Sequence, residues 1–289
     1  MPAPLVSLIL LAHNKSCYTE LALSTLLQSS WPSLQAILVD NGSTDNTPAI
    51  FARFAVAAEA RGWQVDIIHC EENKGAVAGR NLALRRVRGE FVVMQDNDVV
   101  VGRRTWVERM LASLEKDKRI GVLGPQILFA ASPHLIQCAG CVVGRGGRVG
   151  FRGRGEPRDT PEFQHRAEVQ ALISAFWIMP RRAVDETGDF DMLFHPVQFE
   201  DIDYCYRLRQ AGWIAVYDPC VHVFHFENVT TGGTPALNYR YLTVKNGLKF
   251  KNKWRHVFSK ENGPEDAKMI WREIPTVLFE QVGSLPLLD

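Results

Sequence analysis

Short apolar runs alternate with longer stretches of helical periodicity throughout residues 1–125, and this alternation restricts the fold more than any other feature. The apolar runs are Val6–Leu11, Ala36–Val39, Val65–His69 and Phe91–Met94. The helical stretches are Tyr18–Gln28, Thr47–Arg61, Val77–Arg86 and Thr105–Lys116. Strands that are apolar on both faces are typical of a sheet covered by helices on both sides. The pattern therefore predicts βαβ units and a parallel sheet in an α/β fold.

The pattern changes in the second part of the chain. Residues 126–173 read as irregular strands joined by glycine-rich turns, and segment 144–158, with five arginines and six glycines, is expected to be a mobile loop. A helix is predicted to begin near Glu200, followed by a strand at Ile214–Tyr217 and a basic amphipathic helix at Asn238–Lys253. Because the sequence shows neither an internal repeat nor a linker, we expect one domain whose second half completes a site begun by the first.

Charge and hydropathy argue against several classes of protein. The 33 Lys and Arg residues nearly balance the 32 Asp and Glu residues, so global electrostatics favour neither nucleic acid nor a membrane. No apolar run approaches the roughly 20 residues of a membrane-spanning helix, and the apolar N-terminal stretch is better explained as a buried strand than as a signal peptide. Cys138 and Cys141 form one C-x-x-C pair without a second pair for zinc. We therefore expect reduced cysteines and a cytoplasmic protein.

Two carboxylates separated by one residue follow the strand at Phe91–Met94. They belong to Asp96 and Asp98, on either side of Asn97. Ligands of open α/β sheets bind at the carboxyl ends of the strands, and such a pair can share Mg²⁺ or Mn²⁺ whose other ligands are water and substrate phosphates. A plain turn is the alternative, because Asp and Asn are common turn residues.

Polar residues also end the first two strands. His13 and Asn14 follow the first strand, and Asp40 and Asn41 end the second. A carboxylate at Asp40 can accept a hydrogen bond from a nucleobase N–H, or it can simply build a strand-to-helix turn. Because these residues all fall on one edge of the predicted sheet, turn chemistry alone is a weaker explanation than a shared binding site.

A glycine-containing turn precedes the third helix. It runs from Asn73 through Gly75, and Gly79, Arg80 and Asn81 follow within the helix. Backbone N–H groups at a helix start bind phosphate well, and Arg80 can pair with a diphosphate. The turn lacks the G-x-G-x-x-G pattern of dinucleotide-binding proteins, which disfavours a dehydrogenase.

Acidic residues and two histidines mark the second half. Glu200, Asp201 and Asp203 open a helix, where the macrodipole alone favours acidic residues, although a carboxylate placed there can also deprotonate a hydroxyl. His222 and His225 lie on an apolar stretch. Each is either a buried core histidine or a ligand that completes the site of the paired aspartates, and His225 is the better candidate.

The ordered set of motifs resembles the family 2 glycosyltransferases of the GT-A fold. The motifs are VSLILLAHN, ILVDNGSTDNT, NKGAVAGRN, VVMQDNDV and FEDIDYCYRLRQAGW, and the resemblance covers residues 4–226. Bacterial rhamnosyltransferases and galactofuranosyltransferases of surface polysaccharides look most similar. The resemblance implies one Rossmann-like, mostly parallel sheet flanked by helices. It further implies a nucleotide-sugar-binding half at 1–125, an acceptor-binding and catalytic half at 126–235, and a C-terminal helical extension at 236–289.

The resemblance also implies roles for particular residues. The expected nucleotide-sugar contacts are Ala12, His13, Asn14, Asp40, Asn41, Gly75, Arg80, Asn81, Asp96 and Asn97. The expected ligands of Mn²⁺ or Mg²⁺ are Asp96, Asp98 and His225. Asp201 would be the base of an inverting displacement with Glu200 beside it, and Trp177 and Asp203 would contact the acceptor. His13 stands where the family often has Tyr, and the spacing of His222 and His225 departs from the family's close pair, so the nucleotide base and these metal ligands stay open.

Two segments have several interpretations. The arginines of 144–158 either close over an anionic acceptor, bind RNA, or belong to a solvated loop, which is the preferred interpretation. The C-terminal helix either rests on an anionic membrane surface or is an ordinary amphipathic helix. The side chains considered for that surface are Lys245, Lys249, Lys251 and Lys253, with Leu248, Phe250 and Trp254.

Three functions compete. The first is transfer of a sugar from a UDP-, dTDP- or GDP-sugar to a glycan, lipid-linked or small-molecule acceptor. This reaction would belong to cell-surface polysaccharide or glycolipid assembly. It needs no nucleic acid partner and allows a peripheral contact with the inner face of the membrane. A nucleotidyltransferase is the second, but it would need a glycine-rich basic loop where His13-Asn14-Lys15 stands. A non-catalytic sugar-nucleotide-binding protein is the third, and the joint presence of Asp96, Asp98, Glu200 and Asp201 argues against it.

Overall fold

The computed structural model describes residues 2–227, 238–275, 277, 279–282 and 285. The strands are β1 (Val6–Ala12), β2 (Leu34–Asn41), β3 (Gln64–Cys70), β4 (Phe91–Asp96), β5 (Val99–Val101), β6 (Ile120–Phe129), β7 (Ile136–Cys138), β8 (Cys141–Val143), β9 (Val149–Phe151), β10 (Ala167–Val169), β11 (Phe176–Pro180) and β12 (Ile214–His225). The helices are α1 (Ser16–Leu26), α2 (Thr47–Glu59), α3 (Gly75–Leu84), α4 (Trp106–Glu115), α5 (Arg181–Thr187), α6 (Glu200–Gln210) and α7 (Tyr239–Phe258).

One sheet of ten strands runs through the molecule. Its main order is β10-β12-β6-β11-β4-β1-β2-β3, with β5 paired to β12 and β7 paired to β6. The predicted α/β fold is confirmed, and the four strands of the first half, β3-β2-β1-β4, are parallel as expected. The second half is less parallel than the first, because β11 runs antiparallel to both β4 and β6. Strands from both halves thus share one sheet, and the carboxyl ends of β1, β2 and β4 lie together.

Strand β12 is longer than the predicted strand Ile214–Tyr217. The pairing of β12 with β6 is irregular between Tyr217 and His222, where Asp218 interrupts the apolar pattern. Asp218 is buried and its carboxylate accepts a hydrogen bond from Ser113. The strand resumes beyond this irregularity, and its end at His225 pairs with Val99 of β5.

Segment 144–158 is not the predicted mobile loop. It contains β9, which pairs with β8 in a hairpin. Four of its five arginines, Arg145, Arg148, Arg152 and Arg154, donate side-chain hydrogen bonds to other parts of the chain. Arg152 donates to the carbonyl of Ala139 at 3.0 Å, and Arg154 makes two 2.8 Å hydrogen bonds to the carboxylate of Glu227. The aromatic rings of Phe129 and Trp271 lie 5.1 and 4.1 Å from the Arg154 guanidinium, so that this side chain is part of a packed cluster.

Helix α7 packs against α6 through aromatic side chains. Phe250 and Trp254 are buried, and the Tyr206 ring lies 5.2 and 5.4 Å from their ring centroids. Of the two interpretations of this helix, the one that places Phe250 and Trp254 on a membrane-facing surface is therefore excluded for these two residues, whereas Leu248 is exposed. Within the described ranges, no helix combines the length and the apolar character needed to cross a bilayer.

Glycine allows α3 to approach β1 closely. A Cβ at Gly79 would lie 2.6 Å from Cδ1 of Leu11, so that any larger residue would require the Leu11 side chain or the helix to move. This approach places the next residue, Arg80, beside the end of β4. All six cysteines lie in the described part of the chain, and each is a free thiol there.

Candidate active site

A cavity of about 960 Å³ opens at the carboxyl ends of the central strands. A volume of this size suits a ligand as large as a nucleotide conjugate. The first half lines it with residues at the ends of β1, β2 and β4 and at the start of α3, and the second half adds the start of α6, the end of β12 and part of α7. The predicted site residues that line it are His13, Asn41, Gly75, Arg80, Asp96, Asn97, Asp98, Glu200, Asp201 and His225.

Asp96, Asp98 and His225 form a group that can hold a metal ion. One ligand atom from each of the three lies within 4.8 Å of the others. The pairing of β5 with β12 creates this group, because it carries His225 to the turn that contains the two aspartates. His225 Nε2 lies 3.3 Å from Asp98 Oδ1. Burial lowers the pKa of His225, but the carboxylates of Asp98, Asp96 and Glu227 together outweigh burial and raise this pKa to about 9.

Gln137 orients His225 and was not predicted from the sequence. The Nδ1–H of His225 donates to Gln137 Oε1 at 2.8 Å. This bond leaves Nε2 directed towards Asp98 and available to a metal ion, a common arrangement around histidine ligands. Gln137 comes from the short strand β7, and an isolated glutamine in an irregular region carries no sequence signal for such a role.

Arg80 joins the metal-binding group to the acidic start of α6. The guanidinium donates to Asp96 Oδ1 at 2.7 Å and to Glu200 Oε1 at 2.9 Å. Arg80 and Glu200 are both buried, whereas Asp96 is partly exposed to the cavity. Burial lowers the pKa of Arg80, but Asp96 and Glu200 outweigh this effect and the net shift is upward, so the cation is fixed in place.

Glu200 and Asp201 begin α6 at the wall of the cavity. Burial and the neighbouring charge of Asp201 raise the pKa of Glu200 to about 7, against the opposing charge of Arg80. Burial also raises the pKa of Asp201, while backbone N–H groups and Arg80 oppose it. Asp201 Oδ2 accepts a weak 3.3 Å hydrogen bond from the backbone N–H of Ser174. Asp201 Oδ1 accepts a shorter hydrogen bond, of 2.8 Å, from the Ile202 backbone N–H, and the carboxylate lines the cavity.

The residues at the ends of β1 and β2 build the turns that shape the cavity. His13 Nδ1 donates to the Asn41 carbonyl at 2.9 Å. Asn41 in turn donates to Asn73 Oδ1 at 3.0 Å and accepts from the backbone N–H of Lys74 at 2.9 Å. Asn41 therefore fixes the turn before α3, and Asn73 lines the cavity beside it.

Asp40 and Asn14 have local partners that account for their positions. Asp40 accepts from the backbone N–H of Ser43 at 2.9 Å, and its other oxygen lies 3.2 Å from His69 Nδ1. Asn14 accepts from the backbone N–H of Thr44 at 2.8 Å. Neither Asp40 nor Asn14 lines the cavity wall, and the same holds for the buried Ala12.

Three other predicted contact residues are buried in the interior of the protein instead. Asn81 exchanges two hydrogen bonds with the backbone of Phe190, which ties α3 to the second half. Trp177 is buried in β11 and stacks on Phe190, because an aromatic residue in a central strand packs into the core. Asp203 is buried and accepts hydrogen bonds from Arg207 and Trp254 while pairing with Lys253. The prediction that Trp177 and Asp203 contact an acceptor therefore has no support in their positions.

Several cavity residues gave no signal in the sequence. They come from the hairpin, from α7 and from the segment after it, and they include Phe151, Glu227, Tyr239, Arg240 and Trp271. Phe151 and Trp271 pack edge to face with centroids 5.1 Å apart, which gives the cavity an aromatic patch in its lining. Their elements are distant in sequence, and only the folded chain brings them together.

The sequence profile of one protein family matches residues 7–186, and the family is described as glycosyl transferase family 2. The chain belongs to this family. The match covers most of the chain and contains β1 from its second residue, β2 to β4, the Asp96–Asp98 turn and Arg80, while α6 and His225 lie beyond it. The family resemblance seen in the motifs is thereby confirmed.

The similar proteins differ in the share of their length that aligns with this chain. It is 28% identical over 250 residues to N-acetylglucosaminyl-diphospho-decaprenol L-rhamnosyltransferase of Mycobacterium tuberculosis, which covers 79% of this chain and 78% of that protein. It is 26% identical over 246 residues to the uncharacterized protein y4gI of Sinorhizobium fredii, covering 82% of this chain but spanning only 26% of that protein's length. The mannosyltransferase PcManGT of Pyrobaculum calidifontis, solved with GDP-Man and Mn²⁺, superposes with a TM-score of 0.62 at 19% identity over 91% of this chain and 67% of that one. This last similarity supports the fold.

Proposed function

We propose that this chain is an inverting glycosyltransferase that moves a sugar from a nucleoside-diphosphate donor to an acceptor hydroxyl. The observation that carries the proposal is that one cavity holds both the group Asp96, Asp98 and His225 and the carboxylate of Asp201. The first group suits the diphosphate of a donor with its divalent cation. The carboxylate of Asp201 suits a general base. Inversion needs such a base beside the acceptor hydroxyl and stabilisation of the leaving group on the opposite side of the sugar.

The three side chains fit a divalent cation by their chemistry. Two carboxylates and an imidazole suit Mn²⁺ well, and Mg²⁺ less well because it prefers oxygen ligands throughout. Asp96, Asp98 and His225 would hold the ion, and the ion would neutralise charge that grows on the departing diphosphate. Gln137 would keep His225 in the tautomer that binds metal.

The other residues of the cavity have distinct tasks in this proposal. Arg80 holds the carboxylates of Asp96 and Glu200 in fixed positions. The turn at Asn73 and Gly75 offers the start of α3 to the diphosphate, where backbone N–H groups favour an anion. Asp201 removes the proton from the attacking acceptor hydroxyl, and its raised pKa makes it a stronger base than an exposed aspartate.

The substrates are proposed by chemical class. A UDP-, dTDP- or GDP-sugar fits the cavity volume, and the names of the relatives support sugar transfer from nucleotide donors to glycan or lipid-linked acceptors. We place the reaction in cell-surface polysaccharide or glycolipid assembly. The six free thiols favour a reducing compartment, and hence the cytoplasm.

The test is release of nucleoside diphosphate from a panel of nucleotide sugars with Mn²⁺, with and without candidate acceptors. We expect metal-dependent release, and we expect Asp201→Asn to abolish turnover while nucleotide binding, measured by calorimetry, stays as in the wild type. Removing a general base typically costs about 10²–10⁴-fold in rate. The anomeric configuration of the product, read by NMR, reports inversion directly.

The matched control is Asp185→Asn. Asp185 is an exposed acid of α5 that pairs with Arg181, so its loss should leave turnover unchanged. Release of pyrophosphate instead of nucleoside diphosphate would assign the chain to the nucleotidyltransferases. Full turnover in Asp201→Asn would remove Asp201 from the role of base.

A further inference from the structure

Helix α7 exposes an apolar stripe that nothing in the described part of the chain covers. Tyr241, Val244 and Leu248 are 61%, 64% and 58% exposed. Their spacing of three and four residues places them on one face of the helix. The buried side chains of α7 lie on the opposite face and include Phe250 and Trp254. These residues pack the helix onto the rest of the protein, so the exposed stripe is not needed for that packing.

Helix α7 as a whole is basic, and two of its cations lie beside the stripe. Helix α7 contains no Asp or Glu, and its basic residues are Arg240, Lys245, Lys249, Lys251, Lys253 and Arg255. Lys253 is neutralised by Asp191 and Asp203, each 2.7 Å from its Nζ. Lys245 and Arg255 are exposed, and helical periodicity places both beside the apolar stripe. We call Tyr241, Val244, Lys245, Leu248 and Arg255 the docking face.

The docking face borders the mouth of the cavity. Tyr239, Arg240, Thr243 and Val244 line the cavity from the first two turns of α7. Val244 belongs to both surfaces. A body that covers the docking face would therefore lie next to the entrance through which an acceptor reaches the cavity.

We propose that the docking face binds the surface of an anionic lipid bilayer. A helix with exposed apolar side chains flanked by Lys and Arg lies in the membrane interface, with its apolar groups at the acyl boundary and its cations at anionic head groups. The excess of positive charge favours this occupant over a second copy of the chain, since two such faces would repel each other. The contact itself is independent of the transferase activity, whereas its use to present a membrane-held acceptor to Asp201 rests on the proposed function.

The test is co-sedimentation of the full chain with vesicles of phosphatidylcholine, with and without phosphatidylglycerol. We expect binding only to the vesicles with phosphatidylglycerol, and we expect it to weaken as salt is added. Lys245→Gln combined with Arg255→Gln should weaken partitioning by roughly 30-fold, a factor of about five for each basic side chain. Tyr241→Ser combined with Leu248→Ser should weaken it at low salt as well, because the loss is apolar.

Matched controls lie on other helices. Lys116→Gln combined with Lys118→Gln removes two exposed cations near the end of α4, and Val56→Ser removes a side chain of α2 that is 71% exposed. Both should bind vesicles like the wild type. Equal binding by the docking-face variants, or no binding by the wild type, overturns the proposal. So does a dimer in sedimentation equilibrium that depends on Leu248 without any vesicle binding.

Nucleoside diphosphate release with a water-soluble acceptor is measured in parallel. Lys245 and Arg255 lie outside the cavity lining, so their substitution should leave this release unchanged. Vesicle binding without any release in the wild type would defeat the proposed function and leave the membrane contact standing. Release without vesicle binding would do the reverse.

Discussion

Arg80 is a buried cation whose two carboxylate partners come from different halves of the chain. Asp96 ends β4 and Glu200 begins α6, and both accept from the same guanidinium. We expect Arg80→Gln to lower the free energy of unfolding by about 3–5 kcal/mol, because it leaves buried negative charge without a partner. Urea denaturation followed by circular dichroism measures this change.

Arg85→Gln is the matched control. Arg85 is an exposed neighbour in the chain and pairs with Asp189 at 3.2 Å, and such surface pairs contribute about 0–1 kcal/mol. A comparable loss of stability in Arg85→Gln would mean that the effect does not depend on the burial of the ion pair. A loss below about 1 kcal/mol in Arg80→Gln would show that the carboxylates find other partners and that Arg80 does not join the halves.

At the scale of elements, Asn246 of α7 holds the loop between the 3-10 turn at Met192–Phe194 and α6. Its side-chain amide is buried and its nitrogen lies 2.9, 2.9 and 3.1 Å from the carbonyl oxygens of Phe194, Val197 and Gln198. Pro196 to Phe199 line the cavity, so α7 sets the position of a cavity wall. We expect Asn246→Ala to cost about 1–3 kcal/mol, because buried carbonyls lose their donor. Hydrogen exchange should rise at residues 194–199.

The control for this variant is Asn252→Ala on the same helix. Asn252 is exposed and its replacement by Ala makes the same change in helix propensity, so it should leave exchange at residues 194–199 unchanged. Unchanged exchange in Asn246→Ala would mean that the loop is held by its other contacts, such as the hydrogen bond from Val77 N–H to the Pro196 carbonyl.

Elements were predictable where local sequence determines them. The apolar strand before Asp96 and the acidic start of α6 at Glu200 are visible in the sequence because period and capping are local properties. The wall formed by Phe151 and Trp271 was not, since pairing between distant segments has no local signature. Trp177 was misassigned for a related reason: burial in a central strand depends on its neighbours β4 and β6, which the residue type alone does not reveal.

At the scale of the molecule, the cavity forms where two halves of one sheet meet. Asp96 and Asp98 come from the half that is parallel, while His225 and Asp201 come from the half that joins it through β11. This arrangement concentrates carboxylates at one place, where they repel each other and are partly removed from water. The protein tolerates the arrangement at a cost in stability, as is common at binding sites.

The pH dependence of stability measures that cost. The pKa of Glu200 rises from 4.5 to about 7 on folding. Protonated Glu200 therefore contributes to the free energy of unfolding in full below pH 4.5, and this contribution is lost as the pH rises through 7. Glu200→Gln keeps an oxygen for Arg80 and cannot ionise. We therefore expect it to be more stable than the wild type at pH 8, by up to about 3 kcal/mol, with the difference shrinking towards pH 5. Urea denaturation at both values checks this, with Asp185→Asn as the exposed control, and a difference independent of pH would show that Glu200 stays ionised throughout.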